Sequence, residues 1–195
     1  RPKQPDARHA CATEKRGDTT RAYITAIDAA LEGDPGDAEL WSLRGNAEEP
    51  SGPFGRGQRG TASSIAFYER ALALAPGHFG AHHYLIHTYE NLGYFDKALE
   101  HGEPYSNAAS EVPHALHMYA HDLMKVGRMR EAIDVFTRAR GLEHAYYERE
   151  KISRDFDWHH SHNTGLLALS YRHQGNLDEA ERLLRDGAAV DQQTA

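Results

Sequence analysis

Thirteen of the 14 histidines lie between His78 and His173, and four of them are spaced for chelation. His83 and His87 stand four residues apart, as do His117 and His121. On a helix, residues at i and i+4 share a face, so each pair offers two imidazoles side by side. Neutral imidazole is the commonest side-chain metal ligand and suits zinc, copper, iron and nickel. Two facing pairs would make a four-nitrogen site, with His114 and His162 as further ligands. Glu90, one turn beyond His87, and Asn163, beside His162, stand where they would orient ligands from behind; Glu90 is also a candidate ligand. All-histidine ligation favours copper or zinc, while a carboxylate from Glu90 or Asp122 would bring in iron or manganese. Neither pair encloses the Glu of a metalloprotease helix, and no Ser/His/Asp or Cys/His nucleophile pattern occurs, so no catalytic residue is assigned. If a bound metal were catalytic, His114 or Glu90 would be the candidate for proton transfer.

The elements that position these side chains follow from an internal repeat. Three segments share one phrase: Tyr89 to Ala98 around Gly93, Leu123 to Ala132 around Gly127, and Tyr171 to Ala180 around Gly175. Gly93 to Gly127 and Ala98 to Ala132 are each 34 residues apart; Gly127 to Gly175 and Ala132 to Ala180 are each 48, one period plus 14. Each glycine ends an amphipathic helix, and the alanine five residues later lets the next helix pack closely. His83 to His117 and His87 to His121 are also 34 apart, and His114 to His162 is 48. The two pairs are therefore equivalent positions of successive units. A single histidine is ordinarily a polar filler, but imidazoles in register across units imply a shared role. Six protonated imidazoles would repel one another, and a metal removes that cost.

A 34-residue helix–turn–helix period resembles the tetratricopeptide repeat family over roughly Thr19 to Val190. The resemblance implies an all-α helix–turn–helix solenoid whose first helices line a concave groove, with the histidines looking into it. Residues 1–18 read as an N-terminal extension and 19–195 as a single repeat domain. Its best repeats fall at about 79–112, 113–146 and 161–194, with an insertion at about 147–160 inside the stretch Glu143 to His160. Thr20 to Leu31 and Ser63 to Leu74 read as second helices, closed by Pro35 and Pro76. The insertion carries Tyr146, Tyr147, Phe156 and Trp158 at or near it; it is read either as a lid over one face or as an extra helical turn in the core. Pro50 to Gly60 reads as a surface loop, since it lacks the Gly-Lys-Ser/Thr ending of a phosphate loop.

The segments around His83-Tyr84-Leu85-Ile86-His87, His114 to His121 with Met118, and His162-Asn163 also resemble a histidine-rich bacterial branch of that family. The chain departs from the branch at Tyr119-Ala120, where Pro-Ser is frequent, and at Gly165, where a further histidine is common. The resemblance implies that these histidines act as a set. His159 or His160 would then stand in for the ligand missing at Gly165.

Composition sets the remaining bounds. A formal charge of −7 argues against a nucleic-acid partner held by phosphate neutralisation. One cysteine, Cys11, excludes an internal disulfide and a cysteine-based zinc cluster. No stretch approaches the roughly 20 apolar residues of a membrane span. The chain begins at Arg1 rather than Met, so upstream truncation or processing is expected and the compartment stays open. Two readings of function result. One is a metal-binding protein, extending to a copper- or zinc-dependent oxidase or hydrolase. The alternative is a non-catalytic scaffold that holds a peptide, small molecule or partner protein in its groove, where Lys125, Arg172 and Asn91 are available for carboxylates.

Overall fold

A computed structural model describes residues 19–49 and 59–191, and every regular element in them is helical. The N-terminal extension with Cys11 and most of the Pro50–Gly60 segment lie outside the described residues. The chain packs as two compact units, one through Tyr94 and one from Phe95.

The first unit holds α1 (Thr19–Gly33), α2 (Ala38–Ala47), α3 (Ala62–Leu74) and α4 (Phe79–Leu92). Their ends are written in polar caps. Asp37 accepts from the amides of Glu39 and Leu40 at the start of α2, satisfying donors that the first turn leaves without helical partners. Thr61 and Ser64 form a reciprocal capping box at α3. α2 was not among the elements read from sequence. Its buried residues are small, Ser42, Gly45 and Ala47, and it packs on α3 where Gly45 meets the fully buried Tyr68. Ile27, Leu31 and Ala47 form the core of this unit, flanked by Leu40 and Trp41.

The second unit holds α5 (Phe95–Ala108), α6 (Pro113–Lys125), α7 (Met129–Glu150), α8 (Trp158–His173) and α9 (Leu177–Asp191). A short 3-10 turn, Arg154–Phe156, precedes α8. Successive helices pack on each other in chain order, and α6 also touches α8. Gly127 and Gly175 end α6 and α8 at φ 82° and 79°, the left-handed region that glycine enters without steric cost. Ala132 and Ala180 are buried, as the close approach of paired helices requires. Phe136 anchors this core among Leu123, Ile133, Leu167 and Leu183; burying such a side chain fully contributes about 1.5–3 kcal/mol.

The insertion is absorbed mainly as helix. α7 is 22 residues long against 14 for α5, roughly two extra turns. It stops at Lys151, at φ 56°. Tyr147 turns inward and its hydroxyl donates to Asp157 Oδ2 at 2.5 Å. Two arginines from either side, Arg140 and Arg154, clasp Asp186 of α9.

Candidate functional site

The histidines divide by what their ring nitrogens do. In the first unit, His78 caps α4: its Nδ1 accepts from the amide of Ala81 at 3.1 Å, which leaves Nε2–H to donate to Glu39 at 3.1 Å. His82 is buried and donates from Nε2 to the carbonyl of Pro76 at 3.0 Å. Desolvation keeps it neutral, pulling its pKa below the usual histidine value. Both are structural. His83 and His87 are different, because their Nε2 atoms point at each other across 3.1 Å on one face of α4. Glu90 Oε2 stands 3.6 Å behind His87 Nδ1.

In the second unit, α6 carries His114, His117 and His121 as a stripe of near-parallel rings. Centroids are 6.0 Å apart from His114 to His117 and 6.3 Å from His117 to His121. The start of α8 meets this stripe: the ring of His117 lies 4.9 Å from that of His162 and 4.8 Å from that of His159. His114 Nδ1 is 3.0 Å from His159 Nε2. The register thus brings His114, His117 and His162 together, with His121 one turn along.

The tautomer of His117 is set by Asn163. The Asn163 amide nitrogen donates to the carbonyl of Phe136 at 3.3 Å, so its Oδ1 accepts from His117 Nδ1–H at 3.1 Å. Neutral His117 then keeps a bare lone pair on Nε2. Burial, reinforced by His159, His162 and His114, outweighs the Asn163 bond and pushes the His117 pKa down to about 3. His162 is more open, yet shielding of its ring and the nearby His159 and His121 also lower its pKa.

The carboxylate behind this cluster is Glu143, only 3% exposed. Its Oε1 and Oε2 accept from His159 Nδ1 and His160 Nδ1, each at 2.8 Å. Burial alone would raise its pKa; the two imidazole bonds prevail and bring it down to about 2. Glu143 and His159 were not in the principal ligand set read from sequence. They lie where the insertion breaks the 34-residue register, so spacing could not align them. The one available signal was the missing histidine at Gly165, which directed attention to His159 and His160.

The fold is shared with solved structures over nearly the whole chain. MamA from Desulfovibrio magneticus RS-1 superposes with a TM-score of 0.72 at 14% identity, covering 97% of this chain and 98% of that one. MamA from MSR-1 gives 0.68 at 21%, covering 97% and 94%. YrrB, a TPR protein with an unusual peptide-binding site, gives 0.64 at 15%, covering 89% and 78%. The tetratricopeptide repeat family model matches residues 164–195. The chain has the tetratricopeptide-repeat fold. None of the curated proteins matches the sequence. Within this tetratricopeptide frame, α6 and α8 are first helices of their pairs, and it is on first helices that the imidazoles converge. None of the described helices is long and apolar enough to cross a membrane.

Proposed function

We propose that this chain is a non-catalytic tetratricopeptide scaffold that holds a peptide or partner protein against the histidine-bearing faces of α6 and α8. The observation that carries it is the α6–α8 face itself, where a stripe of imidazoles ends beside a bare tryptophan. Trp158 is 69% exposed, with its ring 6.0 Å from that of His162 and 5.7 Å from that of His159. Exposed tryptophans are the residues that most often dominate binding energy at interfaces. The peptide-binding site of YrrB supports the reading, since the folds correspond over most of both chains.

The test is a screen of immobilised peptides against the full chain, followed by calorimetry with the tightest binder. Trp158→Ala is expected to weaken that binder by about tenfold or more, the scale of an interface hot spot. A peptide that binds equally to wild type and Trp158→Ala, or the absence of any binder, contradicts the proposal.

The ring-nitrogen distances favour a second reading, metal binding. Two nitrogens on tetrahedral zinc, each bonded at about 2.0–2.1 Å, sit about 3.3 Å apart. His83 and His87 are at 3.1 Å, and His114 and His159 at 3.0 Å, so both pairs fit a cation after small ring adjustments. In this reading His83 and His87 supply ligands in the first unit, oriented by Glu90, and His114, His117, His121 and His162 supply them in the second, oriented by Asn163. Copper or zinc suits such nitrogen-rich sets, and iron enters if Glu90 binds directly. Oxidase or hydrolase chemistry would further require an open coordination position on the metal. Metal content after incubation with copper or zinc, compared between wild type and His87→Ala or His121→Ala, tests it.

A further inference from the structure

We propose that Glu143 and His159 form a carboxylate–imidazole dyad that presents His159 Nε2, beside His114 Nδ1, as a ligand pair for a nitrogen-preferring divalent cation such as zinc or copper(II). This rests on the metal-binding reading and adds to it Glu143, the carboxylate that fixes which nitrogen of His159 ligates.

An ionised carboxylate only accepts hydrogen bonds. Both oxygens of Glu143 are engaged, each at 2.8 Å from an Nδ1, so both rings donate at Nδ1. A neutral ring that donates at Nδ1 keeps its lone pair on Nε2. The tautomer of His159 is therefore dictated by Glu143, and it is the one that ligates through Nε2. Metal-bound histidines almost always carry such a partner, which also fixes the ring and raises its basicity.

The two arms of Glu143 differ in surroundings. His160 is buried, and its ring packs edge-on against His144 and Tyr147 at 5.0 and 5.6 Å. This arm holds the carboxylate from the interior. The other arm holds His159, whose Nε2 faces His114 at 3.0 Å. The backbone of His159 is fixed as well: its amide donates to Asp157 Oδ1 at 2.9 Å, and the other oxygen of Asp157 takes the Tyr147 hydroxyl. Ring and main chain are thus both anchored before any ligand arrives, the preorganisation a tight site needs.

Without metal, His114 Nδ1–H donates to the bare Nε2 of His159. A cation takes the place of that shared proton, which is taken up at His114 Nε2, so the ring stays neutral. The nitrogens separate by a few tenths of an ångström to reach the tetrahedral spacing of about 3.3 Å. The His117 ring stands beside the pair, 4.8 Å from that of His159 and 6.0 Å from that of His114, with the His162 ring 4.9 Å beyond it.

The experiment titrates the full chain with zinc alone and with copper(II) alone, in competition with a chromophoric chelator. Wild type is compared with Glu143→Gln, His159→Ala and Ile133→Val, the last a core change outside the site. Glu143→Gln is expected to weaken binding 10- to 100-fold, the usual effect of losing an orienting carboxylate, and His159→Ala by at least as much. Ile133→Val should lower the melting temperature and leave affinity within about twofold, so that instability and ligation are separated. A second measurement uses wild type only: zinc should shift the ¹⁵N resonances of His159 Nε2 and His114 Nδ1. If wild type binds neither metal, the metal-binding reading fails and the dyad with it. If wild type binds while both site variants keep its affinity, or those two resonances stay still, the cation sits elsewhere and the dyad alone is overturned.

Discussion

Gly45→Ala sets two opposed effects against each other, and the structure decides which wins. Alanine is favoured over glycine inside a helix by about 1 kcal/mol, and Gly45 lies within α2, Ala38–Ala47. A Cβ there would meet Tyr68 at 2.6 Å from Cε1, 2.8 Å from Cδ1 and 3.0 Å from Cζ. The ring has nowhere to retreat. Tyr68 is 0% exposed, its hydroxyl donates to the buried Glu49 at 2.5 Å, and the ring of Tyr84 lies 5.3 Å away. Overpacking of this kind costs about 1–3 kcal/mol, so after the propensity gain a net destabilisation of up to about 2 kcal/mol is expected. Gly141→Ala in α7 provides the contrast, because nothing lies within 4 Å of its would-be Cβ. There the propensity gain stands alone, and a stabilisation of about 0.5–1 kcal/mol is expected. Urea unfolding followed by far-ultraviolet circular dichroism measures both, and the fluorescence of Trp41, in the first-unit core, follows Gly45→Ala locally. If Gly45→Ala stabilises the protein as much as Gly141→Ala does, the packing of α2 on α3 described above is wrong.

Other expectations follow from the site. Burial lowers the folded pKa of His117 to about 3, from the ordinary histidine value of about 6.5. Its folded form resists the proton that the unfolded chain accepts, so stability is full above pH 6.5 and declines as pH falls toward 3. At pH 5 the loss is about 2 kcal/mol. In chelator-treated protein, the fall in unfolding free energy from pH 7.5 to 5 should therefore be about that much larger for wild type than for His117→Gln, and equal falls would refute it. Glu143 works in a lower window: its contribution is present above about 4.5 and is lost as pH falls through about 2. Asn163→Leu leaves His117 Nδ1–H without its partner, while the Phe136 carbonyl, inside α7, keeps its helical bond. At about 1–3 kcal/mol for an unsatisfied buried group, thermal denaturation should show a loss of about 1–3 kcal/mol; an unchanged melting temperature would contradict the buried amide bridge.

Much of the fold was legible because one phrase recurs with glycine and alanine at fixed offsets. Gly93, Gly127 and Gly175 all take positive φ, and Ala98, Ala132 and Ala180 are all buried, so the phrase records backbone and packing needs together. α2 escaped because its buried residues are Ser42, Gly45 and Ala47, which draw no stripe of large apolar side chains. At the site, His114, His117 and His162 were placed on one side of neighbouring first helices by the period alone. Glu143 and His159 were not, because the longer α7 and the 3-10 turn shift everything between the registers of α6 and α8. Nor does spacing distinguish His78 and His82 from His83 and His87. That difference lies in which ring nitrogens meet a backbone amide or carbonyl, a fact of tertiary geometry.

The central claim is that the imidazoles on the first helices form the binding face of a scaffold, while other histidines serve structure. Imidazole ¹H–¹⁵N spectra of the full chain, recorded while the tightest peptide from the screen is added, test it most directly. The expected result is that His114, His117 and His162 shift together with the Trp158 indole, while His78, His82 and His160 remain in place. Shifts confined to the second group, or binding that leaves every imidazole unmoved, would contradict the account.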